Sequence, residues 1–134
     1  MSRSALEQSV ALVAARDLHN TGKIFIKGPY VYINERYEGV HIIDNTDPAQ
    51  PRNVGFLRIP GNLDVSMRGN LLYADNAEDL VTLDVSDPSA VRVSSRVRRA
   101  FPELAPPEQA DVIEEYRPEN RPADAVVVGW QKVD

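Results

Sequence analysis

The chain has 134 residues, 43% hydrophobic and 26% charged, which fits one globular domain with a single moderate core and excludes wholesale disorder. Its net charge of −5 is unevenly placed: residues 1–100 carry 12 Lys/Arg against 12 Asp/Glu, and residues 101–134 carry 3 against 8. A neutral body with an acidic end argues against nucleic acid as a partner, because phosphate binding needs a basic surplus on one face. The absence of cysteine removes disulfides, thiolate catalysis and Cys-ligated zinc together.

Ser4 and Glu7 have the spacing of a capping box, and Leu6, Val10, Val13 and Ala14 follow at helical intervals. Residues 4–17 are therefore expected to form one amphipathic helix, ended by Asn20 and Gly22, that lays its apolar stripe on the neighbouring domain. Glu7, Gln8 and Arg16 interrupt the apolar run, so it is not read as a signal peptide. No stretch reaches the roughly 20 apolar residues of a membrane span.

From Lys23 the period changes to two. Ile24 and Ile26 alternate with Phe25 and Lys27, Gly28-Pro29 marks a turn, and Tyr30–Ile33 resumes a β-rich run. "EGVHIID" predicts a third strand, "DNTDPAQP" a turn, and Asn53–Ile59 a fourth strand before Pro60-Gly61. The same order then recurs in "LDVSMRG", "NLLYADN", "LVTLDVSDP" and "VRVSSRVRR". Gly28 and Gly69 are 41 residues apart and Asp47 and Asp87 are 40 apart, so one residue is gained or lost in the loop between the second and third strands.

Four strands repeated at about forty residues is the pattern of a β-propeller blade. A lone four-stranded sheet leaves both faces bare, and stacking on a neighbour is what buries them. The expected fold is all-β: a helix over 1–22, one antiparallel blade over 23–61, a second over 62–100, and an acidic extension over 101–134. Arg96, Arg98 and Arg99 read as a solvated strand edge that discourages pairing with other chains. The extension holds five of the ten prolines; Phe101, Leu104, Val112, Ile113 and Tyr116 are its candidate anchors, with a short helical turn at 111–116. "DAVVVGW" after it predicts a strand, the first of a third, incomplete unit.

The strands "VHIID" (40–44) and "LVTLD" (80–84), each leading into an x-[ST]-D-P turn, resemble the LVIVD-repeat family of bacterial proteins. The likeness extends over roughly residues 4–131. It implies a β-propeller-like protein of a kind often exported or lipid-anchored at the cell surface. It also implies further blades, supplied by more chain or by association. The family offers no catalytic motif, so the resemblance implies no active-site residues.

Asp44 and Asp84 end the third strand of each unit, where a short carboxylate accepts backbone N–H groups of the turn; Asp47-Pro48 and Asp87-Pro88 continue that turn. A calcium site from the same acids is the rival reading, but no D-x-D-x-D-G pattern is present. His19 and His41 have no HxH or HExxH partner, so no zinc site is expected, and no G-x-S-x-G elbow marks a hydrolase. No phosphate-binding glycine motif is present either. Glu35 and Glu38 in one unit, and Asp75, Glu78 and Asp79 in the other, share the second hairpin loop. They are expected to be solvated, the alternative being a glycosidase pair facing across a cleft. Tyr32 and Tyr73 are equivalent and suit blade packing beside Tyr30, while Tyr37 is the tyrosine expected to be exposed. The candidate binding residues are Tyr37, Glu35, Asp75 and Glu78, with no catalytic residue and no cofactor or metal. The expected role is non-enzymatic: binding a protein partner or a second copy, with carbohydrate as the alternative ligand.

Overall fold

The computed structural model describes residues 1–107, 112 and 117–131. A short helix α1 (Arg3–Ser9) precedes nine strands: β1 (Ala11–Val13), β2 (Thr21–Lys27), β3 (Tyr30–Glu35), β4 (Gly39–Asp44), β5 (Arg52–Arg58), β6 (Val65–Arg68), β7 (Leu71–Asn76), β8 (Asp79–Asp84) and β9 (Arg92–Val97). They form two antiparallel sheets of order β1-β5-β4-β3-β2 and β6-β7-β8-β9. The fold is all-β and of the propeller type.

The repeat holds in register as well as in sequence. Ile24 and Ile26 pair with Ile33 and Val31, as Val65 and Met67 pair with Ala74 and Leu72. A bulge at Ile42/Ile43 recurs at Thr82/Leu83. The units part at one hairpin: Glu35 pairs with Gly39 across three residues, whereas Asn76 pairs with Asp79 across two. Tyr37 and Ala77 take the left-handed conformation there, at φ 64° and 56°. A loop absorbs such a change because the strand pairings cannot.

Side chains alternate across each strand, so each sheet has two faces. The core lies between the sheets: Tyr32, Val40, Ile42 and Leu57 of the first meet Val65, Leu72, Ala74, Val81 and Leu83 of the second, all but inaccessible to water. Each such Val, Leu or Ile side chain contributes about 1.5–3 kcal/mol through burial. Burial also pushes the Tyr32 phenol up to about 12, with nearby Tyr30 adding to the shift.

Two elements differ from the sequence expectation. The helix spans Arg3–Ser9 and not 4–17, and its cap is Ser2, whose side chain accepts from the Ala5 amide at 3.1 Å; Ser4 does not cap it. At Val10 the backbone is extended, and Ala11–Val13 pair with Arg58, Leu57 and Phe56. An open sheet edge satisfies three residues' backbone groups, and this outweighs a helical period carried by β-branched valines. "DAVVVGW" forms no strand of a third unit; Ala125 makes one isolated bridge to Ser2, and Val126 and Met1 exchange two hydrogen bonds. Its partner becomes helical at Arg3, which ends the ladder. The turn expected at 111–116 falls outside the described residues except at Val112.

Candidate functional site

The two acidic turns are built alike. Asp44 accepts from the Thr46 amide and Asp84 from the Ser86 amide, each at 2.9 Å, while Asp47 and Asp87 accept from Ala49 and Ser89 at 3.0 Å. Hydrogen bonds from the Thr46 and Ser86 residues hold Asp44 and Asp84 below the ordinary carboxylate value. These acids are engaged by their own turns. Among the described residues, no group of three or more His, Cys, Asp or Glu side chains converges as a metal site.

Glu35 corrects the expectation of a solvated loop acid, for its side chain is fully enclosed. Its Oε1 lies 2.9 Å from His41 Nε2 and accepts from the His19 amide at 2.7 Å; its Oε2 accepts from the Asn20 amide. Gly39 stands opposite Glu35 in the register and leaves the diagonal toward His41 open. Burial is the largest influence on Glu35 and pushes it up, but the bonds from His41, His19 and Asn20 together hold it below its ordinary value. The sequence signal for the pair was present: two polar residues on one face of a hairpin, diagonal to each other.

Asp79 is likewise enclosed. Arg3 reaches it at 2.5 Å, Arg96 at 2.6 Å, and the Arg99 amide donates at 3.0 Å. Burial, the largest influence, opposes ionisation, and the two guanidiniums and the amide outweigh it, so Asp79 sits below its ordinary value. Arg96 therefore points inward to an ion pair and is not part of a solvated edge; Arg98, which bonds Glu7, is exposed as expected. Glu78 joins the same cluster through Arg3 at 3.1 Å. Tyr37 is half-buried: its amide donates to Asn62 and its carbonyl accepts from Gly61, and its ring lies against Gly129 and under the Arg36 guanidinium.

Asp75 lines an open cleft. It lies on the outer face of the second sheet, between Ser66, Tyr73 and Leu80 below and Phe101–Ala105 above, with about 430 Å³ of space. Asp75 Oδ1 accepts from the Leu63 and Asp64 amides and from Asn62 Nδ2, each at 2.9 Å. Burial, its largest influence, pushes Asp75 up, and these donors only partly offset it. Asp64 and Glu103 also line the cleft, the first paired with Lys23 at 2.6 Å and the second with Arg121. Glu38 pairs with Arg16 elsewhere. Glu78 and Asp79 thus share the Arg3 cluster, while Glu35, Glu38 and Asp75 lie in three other environments.

Among the described residues, the two most exposed large apolar side chains lie on the first sheet. Phe25 and Tyr30 pack against the core, so Ile24 and Ile26 project from the opposite face, 61% and 77% exposed. Val31, Ile33 and Ile43 share that face by register and are half-buried.

The LVIVD repeat matches the chain twice, over residues 20–56 and 62–98. No curated protein and no solved structure matches it.

Proposed function

Because this chain belongs to the LVIVD repeat family, a family of β-propeller type, we propose that it is a non-enzymatic binding or scaffold module of an exported or surface-associated protein. Export rests on family likeness; binding rests on the open apolar face carrying Ile24 and Ile26. Exposed apolar patches on a rigid sheet are a usual basis of recognition, since burying them gains energy without ordering a loop. Among the described residues, two of the three carboxylates that line the cleft are ion-paired, Asp64 to Lys23 and Glu103 to Arg121. This supports the same reading, because acid–base hydrolysis needs two carboxyl groups free to act across one cleft.

A double variant, Ile24→Lys with Ile26→Lys, tests it. We expect native circular dichroism and an unchanged melting temperature, with loss of the binding of an apolar dye such as bis-ANS. Turnover of chromogenic glycosides or esters that disappears in Asp75→Asn would overturn the non-enzymatic reading.

The cleft favours one second reading, carbohydrate binding. Tyr73 and Phe101 offer aromatic faces beside Ser66 and Asp75, the combination that suits a sugar ring with its apolar face and hydroxyl rim. Glycan-array binding that Tyr73→Ala abolishes would support it, and silence on the array would remove it.

A further inference from the structure

The two sheets bury opposite faces of the repeat. In the first sheet the covered positions include Tyr32, Val40 and Leu57; their equivalents in the second, Tyr73, Leu80 and Val97, lie on its outer face, where Val97 is 53% exposed. In the second sheet the covered positions include Val65, Leu72, Ala74 and Leu83. Their equivalents in the first sheet, Ile24, Val31, Ile33 and Ile43, lie on its outer face beside Ile26. The chain therefore leaves part of each half of that internal contact open: on the first sheet Ile24 and Ile26, beside Glu35, His41 and Phe56, which are enclosed, and on the second sheet Val97, beside the cleft that Phe101–Ala105 roof.

We propose that the chain self-associates head to tail, the outer face of the first sheet of one copy stacking on the outer face of the second sheet of another. This rests on the binding reading above and names its partner as a second copy. The cleft beside Tyr73 and Leu80 is the counterpart of the space that the second sheet fills beside Tyr32 and Val40. Phe101, 43% exposed at its rim, adds apolar area to the receiving face. An interface of this kind is heterologous: each copy offers one presenting and one receiving face, giving a closed ring where the rotation closes and a filament where it does not.

Two surface variants test the polarity. Ile26→Asp removes the presenting face and Val97→Asp the receiving face; both residues are exposed, so circular dichroism should remain native. By analytical ultracentrifugation, the unaltered chain should show a mass that rises with concentration, and each variant alone should weaken that association by about tenfold or more. An equimolar mixture should recover a two-chain complex, because Ile26→Asp keeps a receiving face and Val97→Asp a presenting one. A mixture that stays monomeric, or a Val97→Asp variant that associates as the unaltered chain does, would overturn the proposal. So would an unaltered chain that is monomeric at every concentration; if that monomer still bound bis-ANS through Ile24 and Ile26, the binding reading would stand without it.

Discussion

The carboxylate of Glu35 lies 2.9 Å from Nε2 of His41, and neither side chain reaches solvent. The same carboxylate holds the backbone of His19 and Asn20, so it fastens the segment entering β2 to the β3–β4 hairpin. Glu35→Gln keeps the shape but replaces an anion accepting three donors with a neutral amide that has one acceptor oxygen. Leaving a buried donor unpaired costs about 1–3 kcal/mol. We expect a urea midpoint lowered accordingly, with an unchanged denaturant slope.

Acid should weaken the fold through Glu35 and Asp79. Both sit below their ordinary values, 4.5 and 3.8, so in the unfolded chain each takes up a proton at higher pH than in the folded one. Their contribution is fully present above those values and is lost as pH falls through the lower folded values. Urea denaturation from pH 7 to pH 3 should show stability constant at first and declining below about pH 4.5. A profile that stays level to pH 3 would contradict this.

Asp75 should behave in the opposite sense. Burial raises it, so the folded state binds its proton more readily than the unfolded state does, and ionisation costs stability at neutral pH. The side-chain amide introduced by Asp75→Asn would keep an oxygen for the Leu63 and Asp64 amides and carry no charge. This variant should therefore match or exceed the parent's stability at pH 7 and lose that advantage in acid. Paired urea melts at pH 7 and pH 4 check both statements.

Asp79→Asn addresses a different arrangement, since it strands Arg3 and Arg96 against an uncharged amide. Breaking a buried ion pair by removing one partner costs about 3–5 kcal/mol, and here the loss also removes one of the ties between α1 and the second sheet. The exposed Arg98–Glu7 pair is the control: Arg98→Ala should change stability by about 0–1 kcal/mol. Urea midpoints of the two variants should differ widely.

The strands and their repeat were legible because period-two patterning and turn residues are local signals. Ile24, Ile26, Val31 and Ile33 announce one sheet face, and the turns at Asp44 and Asp84 announce their partners forty residues apart. The sequence alone does not mark the end of the N-terminal helix, because Val10 and Val13 satisfy a helical period and a strand edge equally, and only the unpaired edge of β5 decides between them. Glu35 and Asp79 looked like loop acids for a similar reason. Their partners, His19 and Asn20 in one case and Arg3 and Arg96 in the other, come from segments that the chain returns only after folding. The cleft has no local sequence signal, because it requires residues 101–105 to lie over β6 and β7.

Two glycines separate steric closeness from backbone conformation. At Gly39, φ is 143° and an added Cβ would stand 1.8 Å from the Leu57 carbonyl oxygen, so Gly39→Ala must push β4 away from β5. At Gly69, φ is 59° and nothing lies within 4 Å of an added Cβ. Gly69→Ala meets only the left-handed penalty, about 1–2 kcal/mol. Gly39→Ala adds a backbone clash inside the hairpin that frames Glu35 and should exceed about 4 kcal/mol, the range reserved for a severe local defect. Thermal melts should rank them parent, Gly69→Ala, Gly39→Ala. If Gly39→Ala proved as mild as Gly69→Ala, the close approach of β4 to β5 at that register would be wrong.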